Sequence, residues 1–319
     1  MPFISRLRRF HGFEGFKKSV SGASSDLKTV VGPASTGLGE KICSLAGLEK
    51  IRFSFKQFPD GELYVRLLED VTGVDALIIQ SLAPPQDRNL MILLQLLSAF
   101  KTNGGGEASV LIPYLAYARQ DRMFLSGEPV SAHLVAKLIE AAGADRVALV
   151  EVHSDAAAKC FRNSVLIETV GSFAEYYLRN GFEKAYVVAP DKGATPRAKK
   201  LADMIQGGVG WVDKTRNKET GCVSSTEGEL NPSGRKTIII DDIISTGGTI
   251  IEAIKLLKSK GASQISVACI HGLFVGDAYQ RIVNAGASSV LSSDTVETQY
   301  SNISVAGDVV RTLREKGWL

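Results

Sequence analysis

The amino-acid sequence predicts an α/β protein with two doubly wound domains, each built on a mainly parallel β-sheet. Short runs of β-branched and aliphatic residues alternate with longer segments whose apolar residues recur at helical spacing. This alternation forms two series of about five units, which are joined near residues 160–172. The chain has 319 residues, more than one average domain, and its length favours two domains of about 140 residues each.

The overall composition is typical of a soluble globular protein, because 45% of the residues are hydrophobic and 22% are charged. The net charge of +3 is too small to favour a nucleic acid or a membrane surface as a partner. No apolar run approaches the ~20 residues that a membrane span needs. The cysteines are scattered without a CxxC pair, which indicates reduced thiols in a cytoplasmic protein rather than disulfides or a zinc site. They are Cys43, Cys160, Cys222 and Cys269.

The chain divides into a tail and two domains. Residues 1–26 are rich in arginine, contain serine and are poor in acidic residues. We expect a disordered tail without a function of its own; a transit peptide and a segment upstream of the true start are the alternatives. The expected domains are residues 27–165 and 166–319, and the last helix can pack back on the first domain.

In the first domain, aliphatic runs predict strands and apolar periodicity predicts helices. Gly47 ends the first helix, and the second helix is apolar nearly all round, so it should be buried. Residues 59–61, Pro-Asp-Gly, predict a tight turn between two strand-like runs. The predicted strands are residues 29–31, 51–55, 75–80, 109–113 and 146–152, and the predicted helices are residues 35–46, 87–100 and 131–142.

Three places in this domain carry side chains suited to binding. Phe58, Asp60 and Glu62 surround the turn, where the ring could stack on a purine and the carboxylates could accept from its amino group. An ordinary hairpin is the alternative. Residues 119–122, Arg-Gln-Asp-Arg, leave a strand and suit a polyphosphate or a stacked base, unless they form only a solvated turn. His153 directly follows a strand and is either a metal or phosphate ligand or a structural histidine.

The second domain shows the same patterns. Asp191 follows its first strand, where an acidic residue beside free backbone amides could hold a Mg²⁺–diphosphate. Residues 214–218 form a basic cluster without apolar periodicity, which predicts a charged surface loop. The predicted strands are residues 185–189, 237–240, 264–271 and 289–290, and the predicted helices are residues 173–180, 197–205, 250–260, 278–284 and 305–316.

The central stretch of this domain, residues 236–251, indicates a site for ribose 5-phosphate. The β-branched run at residues 237–240 predicts a strand buried on both faces, with Asp241 and Asp242 at its carboxyl end, where open α/β sheets bind ligands. Residues 245–249, Ser-Thr-Gly-Gly-Thr, then open a helix whose first N–H groups suit a phosphate. The carboxylates would repel a phosphate and suit sugar hydroxyls or a metal. An ordinary strand–turn–helix joint is the alternative, and without Gly-Lys-Ser/Thr this is not a Walker-type loop.

This stretch resembles the loop that binds 5-phosphoribosyl 1-diphosphate (PRPP) in type I phosphoribosyltransferases and in ribose-phosphate diphosphokinases, or PRPP synthetases. The ordered series of motifs from about Leu27 to the C-terminus is most similar to the PRPP synthetases, and residues 243–249 and 271–274 most resemble their archaeal branch. The motifs are Phe58-Pro59-Asp60-Gly61-Glu62, Arg119-Gln120-Asp121-Arg122, His153, Pro190-Asp191, Lys214-x-Arg216 and Asp241-Asp242 with Gly248-Thr249. The resemblance implies two domains of phosphoribosyltransferase type.

The resemblance implies a Mg²⁺-dependent enzyme that transfers the diphosphoryl group of ATP to the 1-hydroxyl of ribose 5-phosphate, giving PRPP and AMP. It also implies a homo-oligomer, a dimer or a multiple of dimers, because residues 58–62 reach a neighbouring subunit in this family. A salvage phosphoribosyltransferase is a competing interpretation, but it leaves residues 58–62 and 119–122 unexplained. A non-catalytic regulatory homologue that binds nucleotides or partners is another interpretation. The presence of four motif residues argues against it: His153, Asp191, Lys214 and Arg216.

The resemblance assigns a role to each motif residue. The implied ATP-binding residues are Phe58, Asp60, Gly61, Glu62, Arg119 and Gln120, with adenine between Phe58 and Arg119. The implied Mg²⁺-binding residues are His153 and Asp191. The implied catalytic residues are Lys214 and Arg216, on a mobile loop that neutralises charge during transfer. The implied ribose 5-phosphate-binding residues are Arg216, Asp241, Asp242, Ser245, Thr246, Gly247, Gly248 and Thr249.

Overall fold

The computed structural model describes residues 27–216, 223–227 and 230–319, with side chains for residues 27–212 and 230–319. The tail expected at residues 1–26 lies outside the described residues. The first half contains β1 (Leu27–Val31), α1 (Thr36–Ala46), β2 (Glu49–Lys50), β3 (Phe53–Gln57), β4 (Leu63–Leu67), β5 (Asp75–Ile79), α2 (Gln86–Thr102), β6 (Ala108–Ile112), α3 (Ser131–Ala141), β7 (Arg146–Val150), α4 (Asp155–Ala158) and β8 (Ser164–Ile167).

The second half contains α5 (Val170–Arg179), β9 (Tyr186–Ala189), α6 (Thr195–Met204), β10 (Gly208–Arg216), β11 (Val223–Glu227), β12 (Lys236–Ile244), α7 (Gly248–Ser259), β13 (Gln264–Gly272), α8 (Ala278–Ala285), β14 (Ser289–Ser293), β15 (Ser301–Ile303) and α9 (Ala306–Glu315). Of the helices in the described part of the chain, none is both long and apolar enough to cross a bilayer.

The strands form two larger sheets and one hairpin. The first sheet has the order β2-β1-β5-β6-β7-β8, and all its neighbours are parallel. The second sheet has the order β11-β10-β9-β12-β13-β14-β15 and is parallel except between β10 and β11. The hairpin of β3 and β4 packs on α2, where the Gln95 side-chain amide donates to the Leu63 carbonyl at 3.0 Å. The prediction of two doubly wound, mainly parallel domains is confirmed.

Helices cover both faces of the first sheet because adjacent strand residues point to opposite sides. Ile78 on β5 belongs to a buried core shared with α2 and α3, and its neighbour Ile79 belongs to a core shared with α1 and α9. Val309 and Leu313 bring α9 into that second core. The C-terminal helix therefore returns across the molecule to the first sheet.

Strand β12 lies in the middle of the second sheet, with Ile239 paired to β9 on one side and β13 on the other. The predicted strand ends at residue 240, but β12 continues to Ile244 because β13 runs beside it, pairing Asp241 with Cys269 and Ile243 with His271. The two carboxylates therefore lie within the last part of a strand instead of beyond it. Sheet pairing holds them on rigid backbone.

Three other sequence-based expectations need correction. The loop expected at residues 214–218 is wrong for residues 214–216, whose backbone belongs to β10 and pairs with β11; residues 217 and 218 lie outside the described residues. The strand expected at residues 51–55 begins only at Phe53 and continues to Gln57 as β3, which pairs with β4. The junction expected at residues 160–172 contains β8, the last strand of the first sheet. In each case pairing with a neighbouring strand decides the conformation.

Candidate active site

The centre of the site is a carboxylate–histidine pair that joins the two halves of the chain. Asp242 lies on β12, His153 follows β7 of the first sheet, and the His153 Nδ1 lies 2.6 Å from Asp242 Oδ2. Asp242 is largely buried, whereas the His153 side chain is 40% exposed. The hydrogen bond to Asp242 raises the pKa of His153 despite the opposing effect of burial. Burial alone would raise the pKa of Asp242, but the bond to His153 and the charge of Arg197 lower it.

Asp241 has the opposite electrostatic character, although it is the adjacent residue. Burial and the negative charge of Asp242 raise the pKa of Asp241 to about 8, with a further contribution from Asp191. The two adjacent carboxyl groups thus have opposite pKa shifts, because His153 and Arg197 act on Asp242 whereas negative charges act on Asp241. A cation at this position would offset the negative charge, and sugar hydroxyls could donate to the carboxylate oxygens.

The donors present are compatible with Mg²⁺, which prefers oxygen ligands and usually uses one or two carboxylates together with waters and substrate phosphates. Asp191 follows β9, the strand next to β12, and its Oδ1 accepts from the Ala194 backbone N–H at 3.1 Å. Within the described ranges, no three His, Cys, Asp or Glu side chains are grouped closely enough to enclose a metal ion.

The loop after β12 and the start of α7 form a small cavity of about 190 Å³. Gly247 caps α7 in the left-handed conformation, with φ of 76°. A Cβ on Gly247 would lie 3.0 Å from Ile282 Cδ1, so both its conformation and its space require glycine. The residues around this cavity are Arg119, Asp241, Ile243, Ile244, Ser245, Thr246, Gly247, Gly248, Thr249 and Ile250. A helix start that opens onto a polar cavity is a general anion site.

Arg281 is a loop contact that was not expected from the sequence. Its Nη2 donates to the Thr246 carbonyl at 2.7 Å, and its Nε donates to Asp277 at 2.8 Å. The spacing of Asp277 and Arg281 by four residues on a helix was the available signal for an ion pair. The contact with Thr246 depends on how α8 packs beside α7, which no local pattern shows.

The residues expected to bind ATP are divided between two places. Arg119 reaches the cavity next to Asp241, and Gln120 is held by Ser131 Oγ, which donates to its side-chain oxygen at 2.9 Å. Phe58, at the hairpin tip, is 39% exposed and contacts Tyr64 edge to face.

The turn below Phe58 is tight. Gly61 has φ of 98°, and the Glu62 backbone N–H donates to Asp60 Oδ1 at 3.1 Å. In the part of the chain that the structure describes, no hydrogen bond, ion pair or ring contact joins this hairpin tip to Arg119 or Gln120.

Lys214 and Arg216 lie on β10, near the end of the strand. The register pairs Trp211 with Ala189, the last residue of β9, so β10 continues beyond the strand end that precedes Asp191. The backbone therefore carries Lys214 past the edge of the sheet at which the other site residues lie.

One buried and two largely buried polar residues behind the site were not identified as functional from the sequence. Arg197 on α6 pairs with Glu151 through Nη2 and Oε2 at 3.2 Å, and His271 Nε2 lies 3.2 Å from the Glu151 carbonyl. Because a carbonyl only accepts, Nε2 carries the hydrogen, and His271 Nδ1 accepts from Thr295 Oγ1 at 2.9 Å. In the sequence, only the position of Glu151, two residues before His153, indicated that Glu151 could lie near the site.

We expect His271 to make the protein less stable in mild acid. Burial lowers the pKa of His271 to about 4, whereas an exposed histidine titrates near pH 6.5. Between these values the unfolded chain binds more protons than the folded chain, so the free energy of unfolding falls as the pH falls from 6.5 to 4. The loss for this residue is up to about 3 kcal/mol.

The measurement is denaturant unfolding of the wild type and of His271→Gln at several pH values in this window. The variant should show a clearly shallower decrease in stability with falling pH. His133→Gln, at an exposed histidine, is the control and should follow the wild type. Equal slopes for all three proteins would contradict a buried neutral His271.

Fold and site together define a class of protein: two mainly parallel α/β domains of phosphoribosyltransferase type, with a carboxylate pair and a phosphate-type loop at the strand ends. Comparison with family models agrees. The model for the N-terminal domain of ribose phosphate pyrophosphokinase matches residues 27–143, and the phosphoribosyl transferase domain model matches residues 161–306. The chain belongs to the ribose-phosphate pyrophosphokinase family.

Individual relatives support this family membership. The ribose-phosphate pyrophosphokinase of Methanobrevibacter smithii is 37% identical over 295 residues, covering 89% of this chain and 99% of the relative. That of Sulfurisphaera tokodaii is 34% identical over 275 residues, covering 86% and 94%. The crystal structure of phosphoribosylpyrophosphate synthetase from Mycobacterium smegmatis has a TM-score of 0.82 at 30% identity, covering 91% of this chain and 98% of that one. The resemblance seen in the motifs is confirmed.

Proposed function

We propose that this protein is a ribose-phosphate diphosphokinase, which forms PRPP and AMP from ribose 5-phosphate and ATP. The ribose 1-hydroxyl attacks the β-phosphorus of ATP, the bond from that phosphorus to the oxygen shared with the α-phosphorus breaks, and AMP leaves with that oxygen. The hydroxyl proton passes to solvent. The observation that carries the proposal is one site in which the phosphate-type loop and Asp241 of the second domain meet Arg119 of the first.

The loop and the carboxylates divide the binding of ribose 5-phosphate between them. Residues 245–249 and the start of α7 would bind the 5-phosphate, because backbone N–H groups and hydroxyls favour an anion there. Asp241 would bind the ribose hydroxyls, with Asp242 in support. Holding the sugar at both ends would orient its 1-hydroxyl for attack.

Mg²⁺ bound to the ATP phosphates would supply neutralisation of their charge in the transition state. Asp191 is proposed to hold that ion directly. The Nδ1 of His153 is engaged by Asp242, so His153 would act through its other nitrogen or through a water. Lys214 and Arg216 are proposed to supply further positive charge from the end of β10, with Arg216 also near the ribose 5-phosphate.

The exposure of Phe58 at the hairpin tip supports a shared adenine site. Its ring could stack on an adenine held by a second copy of the chain, with Asp60, Gly61 and Glu62 at the base edge. Arg119 and Gln120 of that copy would complete the site. The proposed working unit is therefore a homo-oligomer, a dimer or a multiple of dimers.

We also infer a cytoplasmic location. The described cysteines Cys43, Cys160 and Cys269 are free thiols, and free thiols persist in a reducing compartment. ATP, the proposed substrate, is available in the same compartment.

The products test the proposed reaction directly. Purified protein with ATP, Mg²⁺ and ribose 5-phosphate should release AMP and PRPP in equal amounts, because the diphosphoryl group moves as a unit. Chromatography of the nucleotides and ³¹P NMR of the products provide the measurement. Ribose in place of ribose 5-phosphate is the matched control and should give little turnover, since the loop then has no phosphate to bind. ADP as the nucleotide product, or no reaction, would contradict the proposal.

A further inference from the structure

We propose that Glu151 and Arg197 form a positioning pair that holds the His153–Asp242 contact in place across the two domains. This inference rests on the proposed function, in which His153 and Asp242 belong to the site. Neither residue of the pair lines the cavity next to the loop. They are bonded to each other across the two domains, and Glu151 lies two residues before His153 in the chain.

Glu151 connects the end of the first sheet to the second domain through both of its carboxylate oxygens and its carbonyl. Oε1 accepts from the Thr169 backbone N–H at 2.7 Å, at the start of α5. Oε2 accepts from Arg197 Nη2 at 3.2 Å on α6. The carbonyl accepts from His271 Nε2 at 3.2 Å on β13. Three elements of the second domain are therefore anchored to one residue.

The backbone at Glu151 is held in an unusual conformation that sets the direction of the following residues. Its φ is 42°, in a region that non-glycine residues rarely adopt and that persists only when surrounding contacts enforce it. His153 is two residues further on, so its direction depends on this bend. Arg197 acts on Glu151 from the second domain, because its Nη2 holds Glu151 Oε2 at 3.2 Å. The pair thus fixes the direction in which His153 meets Asp242.

A direct role for Glu151 as a metal ligand does not fit these contacts. Its side chain is only 10% exposed and that of Arg197 is 14% exposed. A metal ion on Oε2 would displace the guanidinium and leave Arg197 buried without its partner, which is strongly unfavourable. Glu151 is therefore a positioning residue, which acts on the reaction through His153.

The variants Glu151→Gln, Arg197→Gln and the double variant test this assignment. Glu151→Gln keeps the shape and the acceptor for Thr169 but removes the charge. Misplacement of His153 should lower kcat by about tenfold to a hundredfold, with little change in the Mg²⁺ concentration for half-maximal activity. The double variant should lose no more than the more impaired single variant, because the two residues act as one unit.

The matched control is Lys200→Gln. Lys200 is on the same helix as Arg197 and pairs with Glu168, an exposed ion pair between the same two regions. The Lys200→Gln variant should leave kcat unchanged. Arg197→Lys keeps the buried charge and should recover most of the activity lost in Arg197→Gln.

The second measurement is NMR of the histidine side chains in the protein without substrates, which does not depend on activity. The chain has four histidines, so His153→Gln identifies the His153 signals. Glu151→Gln should shift the NMR signal of the His153 Nδ1 proton in the hydrogen bond to Asp242. Lys200→Gln should leave that signal unchanged.

Two results would overturn the positioning role: unchanged His153 signals in Glu151→Gln, or a loss of activity that excess Mg²⁺ restores. Failure of the wild type to make AMP would instead contradict the proposed function.

Discussion

Replacing Lys214 with alanine is expected to lower kcat by about a hundredfold or more, equivalent to about 2.7 kcal/mol of transition-state stabilisation. The change in the KM for ATP should be much smaller. In diphosphoryl transfer, negative charge moves toward the oxygen that leaves with AMP, so a lysine near the phosphates is worth most in the transition state. The backbone of β10 carries Lys214 beyond the end of β9, on the side of Asp191.

Steady-state kinetics with each substrate varied separately distinguish catalysis from binding for this variant. Lys199→Ala, at an exposed lysine of α6, is the control and should behave like the wild type. A Lys214→Ala variant with wild-type kcat at saturating substrates would show that Lys214 has no catalytic role. A change in KM alone would make Lys214 a binding residue.

Replacing Gly247 with alanine is expected to lower kcat/KM for ribose 5-phosphate by about a hundredfold, since a shift of about 1 Å in a positioning loop can cost that much. Alanine is strained at the φ of 76° found here, and its Cβ would lie 3.0 Å from Ile282 Cδ1 and 3.2 Å from Cγ1. Either the Ile282 side chain or the loop must shift to relieve this contact, and the unfavourable φ adds strain to the loop itself. The loop is the proposed phosphate site, so the KM for ribose 5-phosphate should rise most and the KM for ATP should change less than about twofold.

Gly307→Ala is the matched control for this glycine substitution. Gly307 lies on α9, and a Cβ added there meets no atom within 4 Å. Activity should not change, and alanine should preserve or increase stability, because it favours helix by up to about 1 kcal/mol over glycine. Normal ribose 5-phosphate kinetics in Gly247→Ala would contradict the assignment of this loop to the 5-phosphate.

Features that depend on neighbouring residues could be predicted from the amino-acid sequence. The apolar run at residues 237–240 predicts a buried strand, and Gly247 and Gly248 predict the turn into α7, because each depends on neighbouring residues only. The alternation of such runs with segments of helical periodicity was enough to predict the fold class. The motif residues Asp241 and Arg119 were expected at the site, and the structure brings both to the cavity beside the loop.

Which site residues contact one another became clear only from the folded structure. His153 and Asp242 are 89 positions apart, and Glu151 meets Arg197 across 46 positions. Residues 214–216 have no apolar periodicity, yet they form a strand because β11 pairs with them at the sheet edge.

Local periodicity reports which face of an element is buried, but the element that covers this face is selected by packing of the whole chain. The buried polar contacts behind the site, which depend on that selection, were therefore visible only in the folded molecule.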